Sequence, residues 1–263
     1  MRISIIGCGW LGLPLGEFLA KQGHEVLGST TRKEKLPLLK AAGIQGFLFK
    51  LIPMPSGEAF NQLFDTDLLI INIPPGRRTQ TPEFYEEQVK YITYLINQHK
   101  VPRVIFISST SYYPNTNDWV DPHTEPDLER GSSKAVVQGE KQISKVSTEL
   151  LICRCGGLMG AGRIPGRWFA GKPTKGAQTP INYIHQQDLM EVLSHLATQE
   201  KWDAPVMNLV SPEHPVRKEV HEAMAKKYDF ESPQWQEPEV IPHKKVRSSL
   251  SELDLTIKSP LDY

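Results

Sequence analysis

The chain has 263 residues, 39% hydrophobic and 23% charged, with 30 basic side chains balanced by 30 acidic ones. That length buries a sizeable core, and a formal charge of zero gives no global field for nucleic acid or an anionic membrane surface. No apolar run approaches the roughly 20 residues needed to cross a bilayer, and the opening "MRISII" has no cleavable signal pattern, so the expected location is the cytoplasm. The three cysteines, Cys8, Cys153 and Cys155, are too few for a disulfide framework. "ELLICRCGGL" reads as a buried strand, so Cys153 and Cys155 read as core residues, and no metal site is expected.

The first element in chain order is an apolar strand at Ile3–Ile6, followed by a helical pattern over Leu11–Gln22. Between them Gly7-Cys8-Gly9-Trp10-Leu11-Gly12 is a full G-x-G-x-x-G. At a strand-to-helix junction the three glycines do different things. Gly7 permits the tight turn, Gly9 admits a pyrophosphate to bare backbone, and Gly12 lets the helix pack against the strand. The helix N-terminus then turns its unsatisfied N–H groups on the phosphates, with Trp10 and Leu11 in the same loop.

The second strand is placed at Glu25–Ser29. A site built for a free ribose 2′-hydroxyl carries a carboxylate just after that strand. Here it ends "VLGSTTRKEK", with the hydroxyls of Thr30 and Thr31 and the guanidinium of Arg32, which suits a 2′-phosphate. NADP is therefore favoured over NAD, the plain alternative being that Arg32 and Lys33 only begin a solvated helix. Further strands are placed at Gly46–Phe49, Leu68–Ile73, Arg103–Ser108 and Glu149–Arg154. A helix at Pro82–His99 lines up Phe84, Val89, Ile92, Leu95 and Ile96 on one face. "DLLIINI" and "RVIFIS" are apolar on both faces, as strands covered by helices on both sides are. The fold class is thus α/β, a doubly wound parallel sheet of the Rossmann type with a small C-terminal substrate lobe. Ile73 ends the fourth strand and Pro74 and Pro75 follow it, where the adenosine half of a dinucleotide passes; Arg77 and Arg78 touch its phosphate or decorate the turn.

After about residue 155 the character changes. "GGLMGAGRIPGRWFAGKPTKGAQTP" reads as a long loop with functional contacts, followed by a strand near Val206–Val210 and a helix near Val216–Lys227. This gives a dinucleotide-binding domain over 1–160 and a small mixed lobe over 161–263, interleaved with the last strand of the sheet. Arg163 and Arg167, with Lys244, Lys245 and Arg247, either converge on an anionic small-molecule substrate or form a solvated basic surface.

Several segments together resemble the extended short-chain dehydrogenase/reductase superfamily, in its sugar-nucleotide epimerase/dehydratase-like branch. "FISSTSYYP" (106–114) resembles its fifth-strand motif, with Ser109 four residues before Tyr113 and Ser108 beside the cofactor. "NYIHQQDLMEVL" (182–193) is similar to the branch's Asn-x-(Ile/Val)-His-x-x-Asp segment, and "DPHTEP" (121–126) to the loop before the catalytic helix. The resemblance implies that Cys155, Gly156, Gly157 and Leu158 lie against the nicotinamide, and that a homodimer forms through helices flanking the catalytic segment.

The catalytic helix should carry Tyr-x-x-x-Lys. In "RGSSKAVVQGEKQI" (130–143) Lys134 is in place, but Arg130 stands where the tyrosine should be. A general acid/base must exchange its proton near working pH, which a guanidinium does not do. Three readings follow. Tyr113, or Tyr112, supplies a phenol from the fifth-strand loop; His185 shuttles the proton; or the chain is a catalytically silent NAD(P)-binding sensor or scaffold. In the first two the protein is an oxidoreductase or epimerase/dehydratase-like enzyme on a small carbonyl or sugar-nucleotide substrate, with Arg130 turned to the substrate.

Overall fold

A computed structural model describes residues 1–76 and 81–263, so Arg77 and Arg78 lie outside the described residues. The strands run β1 (Arg2–Ile6), β2 (Glu25–Thr30), β3 (Ile44–Leu48), a hairpin of β4 (Lys50–Ile52) and β5 (Met54–Ser56), and β6 (Leu68–Ile71). They continue as β7 (Arg103–Ser109), β8 (Trp119–Val120), β9 (Glu149–Cys155), β10 (Gly157–Met159), β11 (Pro173–Lys175) and β12 (Tyr183–His185). β13 (Val206–Leu209), β14 (Gln234–Gln236) and β15 (Lys245–Val246) complete the set. The helices are α1 (Gly12–Lys21), α2 (Leu36–Ala41), α3 (Pro82–His99), α4 (Gly131–Ile143), α5 (Gln186–Thr198) and α6 (Arg217–Lys227).

Seven strands form a parallel sheet in the order β13-β9-β7-β6-β1-β2-β3. β1 sits inside it, Ile5 level with Gly28 of β2 on one side and with Ile70 of β6 on the other. The chain builds outward from β1 through β2 and β3, then crosses back to lay β6 on β1's other side. That reversal makes the carboxyl end of β1 a topological switch point, where open α/β sheets bind their ligands. All four residues of β6 and Val104, Ile105 and Phe106 of β7 are buried, as the two-sided apolar pattern requires. α1 lies close on the sheet because residue 16 is glycine: a Cβ there would stand 2.6 Å from Ile44 Cδ1. α3 starts at a Thr81 cap that accepts from the Phe84 N–H at 3.2 Å, with Pro82 in the first turn.

The chain divides into two compact units, each discontinuous: Met1–Tyr112, Pro126–Arg154 and Leu193–Val206 in one, Tyr113–Glu125, Cys155–Val192 and Met207–Tyr263 in the other. The first holds the cluster around Ile6, Leu69, Ile71, Val104 and Ile92. The second has its own around Met159, Ile164, Ile181, Val220 and Met224. The sequence expectation is a domain over 1–160 and a lobe over 161–263 interleaved with the last strand of the sheet. The glycine-rich stretch expected to be loop carries two short strands: β10 pairs with β12 and β11 with β14, each parallel. Their partners lie far downstream, so local composition does not announce them. Among the described residues no helix is long and apolar enough to cross a membrane.

Candidate functional site

The glycine loop is shaped by three separate demands. Gly7 has φ +104°, and a Cβ there would stand 2.4 Å from the Asn72 carbonyl oxygen; only glycine fits. The loop is pinned by the Gly7 N–H donating to Ser29 Oγ at 2.9 Å and Asn72 Nδ2 donating to the Gly7 carbonyl at 3.1 Å. At Gly12 a Cβ would meet the Gly7 carbonyl oxygen at 2.3 Å, so this glycine sets how near the helix comes to the turn. Gly9 is different: nothing lies within 4 Å of where its Cβ would be. Its missing side chain leaves space rather than relieving a clash, which is what close approach of a phosphate needs.

Gly9 opens on a cavity of about 500 Å³ in the first unit. The described walls include Gly7, Thr30, Thr31, Arg32, Ile73 and Pro74 of the expected cofactor residues, and also Lys35, Lys50, Ile52 and Gln88. No carboxylate is among these described walls, while three cations are. Thr30 Oγ1 accepts from the Arg32 N–H at 3.2 Å, which turns the chain after β2. Trp10 is half-buried and Leu11 buried in the core, so only the backbone of residue 11 is left for a ligand. Pro75 is half-buried and outside the described cavity walls. Burial pushes the Cys8 thiol up to about 12, so it stays neutral against Gly28. A Rossmann dinucleotide fits these residues: bare amides at the switch point, an open notch at Gly9, and cations beyond β2.

The segment expected to be catalytic, in the first unit, holds Ser109, Arg130 and Lys134. Ser109 Oγ accepts from the N–H of Ser111 at 3.2 Å and lies 3.0 Å from its Oγ. Arg130 caps α4 with Nε 3.1 Å from Asp127 Oδ2, and its Nη2 donates to Ser133 Oγ at 3.1 Å and to the Ser111 carbonyl at 3.4 Å. The guanidinium is thus joined to Ser109 through the single residue Ser111. Lys134, one helical turn on, pairs with Glu83 at 2.8 Å and holds that carboxyl below its ordinary range. Both partners are exposed, and such a pair exchanges readily for water or a ligand. Ser108 is occupied differently from expectation. Its hydroxyl donates to Glu140, which is paired at 2.8 Å with Arg154, and both charged side chains are buried. Arg154 also lies 3.4 Å above the Tyr112 ring, covering one face of that phenol.

In the second unit the two expected proton carriers are each held by a partner. Tyr113 has no exposed surface, and its hydroxyl donates to Asn208 Oδ1 at 2.7 Å. The motif spacing marks its position along the chain but not the direction of its side chain. His185 stacks on Tyr263 with ring centroids 3.6 Å apart, and its Nδ1 accepts from the Gln187 N–H. Burial, with Lys258 and Lys227 adding, takes this imidazole down to about 4, which favours its neutral form at neutral pH. The Tyr263 hydroxyl donates to Asp188, closing the group.

The loop after β9 is explained first by packing. Cys155 is buried, its thiol pushed up to about 12. A Cβ at Gly156 would meet the Asn182 carbonyl oxygen at 2.5 Å, and one at Gly157 the Tyr183 ring at 2.4 Å, with half-buried Leu158 following. Of the cations set on an anionic substrate, buried Lys244 donates to the Tyr113 carbonyl at 2.9 Å, and Lys245 and Arg247 flank the Trp119 indole. Arg167 reaches the Phe230 ring at 5.8 Å, and partial burial lowers the pKa of Arg163. Lys35 and Lys50 are absent from the sequence reading, because such short elements carry no periodic signal. Also absent is the Tyr183 hydroxyl 3.3 Å from His221 Nε2, with His221 Nδ1 buried and without a partner among the described residues.

No family model matches the chain. Protein YeeZ of Escherichia coli K12 is 31% identical over 237 residues, covering 89% of this chain and 86% of the relative. The structure of MoeE5 in complex with UDP-glucose and NAD superposes with a TM-score of 0.78 at 16% identity, over 98% of this chain and 94% of that one. The Bordetella bronchiseptica enzyme WbmG in complex with NAD gives 0.77 at 18% identity, over 98% and 89%. At such identities the likeness of structures speaks for the fold. A doubly wound sheet with a G-x-G-x-x-G turn at its switch point defines the class, a Rossmann-fold protein. Within that class the chain belongs to one family with YeeZ.

Proposed function

We propose that the protein binds NADP(H) in the glycine-loop cavity and acts as an oxidoreductase or epimerase/dehydratase-like enzyme on a small carbonyl or sugar-nucleotide substrate. The observation that carries this reading is the open notch at Gly9 facing a cavity with Arg32, Lys35 and Lys50 in its described walls and no carboxylate among them. When bound, the nicotinamide supplies or takes up a hydride. Lys134, free to leave its exposed pair with Glu83, holds the ribose. Ser109 Oγ donates to the substrate oxygen, and Arg130 stabilises the negative charge that develops there. A guanidinium keeps its proton, so we assign the proton that completes the product to solvent. The sugar-nucleotide option is supported by MoeE5, whose fold is alike and which was solved with UDP-glucose.

The test is calorimetric titration with NADPH and NADH, followed by cofactor oxidation across a carbonyl and sugar-nucleotide panel. NADPH should bind at least about tenfold more tightly, one charge-assisted contact being worth that much. Gly9→Val should fold normally and lose binding, because its side chain fills space the protein leaves open. Wild-type protein that binds neither dinucleotide overturns the proposal. A second reading, a catalytically silent dinucleotide sensor or scaffold, is favoured by one observation, the burial of the Tyr113 phenol. It predicts that NADPH binds, that no substrate is turned over, and that Arg130→Tyr gains no turnover.

A further inference from the structure

The dinucleotide cavity has a wall that the glycine-loop reading leaves unused. β4 and β5 pair antiparallel, with Lys50 opposite Ser56 and Ile52 opposite Met54. Alternation along the strands puts these four residues on one face and Leu51 on the other. Leu51 packs against the core cluster, and its carbonyl accepts from Gln88 Nε2 at 2.7 Å. The hairpin is therefore anchored with the Ile52 face outward, and Ile52 and Met54 keep 65% and 61% of their surface in solvent. Two large apolar side chains side by side in water call for a cover.

Lys50 and Ile52 both line the cavity, together with Arg32 and Lys35. Among the described residues none of these three cations has an ion-pair or side-chain hydrogen-bond partner, whereas Arg2, Arg103, Lys134 and Arg154 each have a carboxylate. Three unpaired cations around one mouth repel one another until an anion arrives. The pyrophosphate belongs to the glycine loop, so this second cluster calls for a second anion. A phosphate monoester carries about −1.5 to −2 at neutral pH and offers three acceptor oxygens, enough for more than one cation.

We infer that the hairpin β4–β5 is the adenosine-recognition lip of this cavity. Lys50 gives a ribose 2′-phosphate its second cation beside Arg32, and the Ile52–Met54 pair covers the adenine ring. The inference rests on the dinucleotide reading of the cavity and adds the residues that choose the adenosine half.

The probes are adenosine 2′,5′-bisphosphate and adenosine 5′-monophosphate, which differ only in the 2′-phosphate and carry no nicotinamide. Titrated into the full chain, the bisphosphate should bind at least about tenfold more tightly. Lys50→Gln, at an exposed position that leaves the fold intact, should cut that preference about tenfold while keeping the affinity for the monophosphate. The double variant Ile52→Ser, Met54→Ser should weaken both probes alike, leaving their ratio unchanged. A Lys50→Gln protein that keeps the full preference, with Arg32→Gln abolishing it, overturns the lip while the dinucleotide reading survives. Wild-type protein that binds NADPH and NADH equally overturns the lip as well. Failure of wild type to bind either dinucleotide brings down both.

Discussion

Tyr113→Phe separates a structural phenol from a catalytic one. The substitution removes one hydroxyl and leaves Asn208 Oδ1, on a residue with no exposed surface, without the donor it has at 2.7 Å. Asn208 Nδ2 still donates to the Arg247 carbonyl at 3.1 Å, so the amide stays put and only its oxygen is orphaned. An unsatisfied buried acceptor costs about 1–3 kcal/mol. For a chain of this size that lowers the melting temperature by about 2–12 °C, since each kcal/mol is worth roughly 2–4 °C. Turnover per folded molecule and the affinity for NADPH should stay at wild-type values. A phenol acting as general acid predicts the reverse, a loss of about 10²–10⁴ in rate. The assay is thermal and urea unfolding beside steady-state kinetics on one preparation. Unchanged stability with turnover lost by a factor of about 100 would refute the structural role.

Glu140→Gln removes the counter-charge of Arg154, whose side chain is only 5% exposed. Breaking a buried pair from one side costs about 3–5 kcal/mol, so urea unfolding should shift by that amount; a shift below about 1 kcal/mol refutes the assignment. A pH effect follows from His221, which burial, helped by Arg217, takes down from 6.5 to about 4. Between those values the unfolded chain holds a proton that the folded one lacks, so stability rises with pH through the window. It is complete above about 6.5 and is lost toward about 4, at up to about 1.4 kcal/mol per pH unit. His185, also lowered to about 4, adds to the same slope. His221→Gln should make the urea midpoint less steep in pH over that range, and an unaltered slope would contradict the assignment.

Legibility tracked how local the determining physics is. The sheet could be read because β6 and β7 are apolar on both faces, a pattern each strand carries in itself. α3 ran over Pro82–His99 as the 3.6-residue spacing required. The glycine loop was legible for the same reason, since what each glycine does follows from its place in one turn. Two-residue pairings such as β8 with β15 were not legible, because each strand is defined only by the other. Tyr113 and His185 show the limit at the site. Both stand at their motif positions, yet a partner elsewhere in the chain, Asn208 or Tyr263, decides whether the group can trade a proton. Lys50 shows the converse, an ordinary charge on an edge hairpin that becomes notable once a cavity and two more cations appear beside it, unpaired among the described residues.

The patchwork make-up of the two units bears on synthesis at the ribosome. The first unit needs Leu193–Val206, where Ser194 donates to Gln22 Oε1 at 2.7 Å and Trp202 Nε1 to the Leu196 carbonyl. Its early strands therefore wait for a segment translated much later. At about 5–20 residues per second that delay lasts several seconds, during which strand edges and apolar faces stand open to chaperones. A gene fragment stopped after residue 154 would freeze the chain in this half-dressed condition.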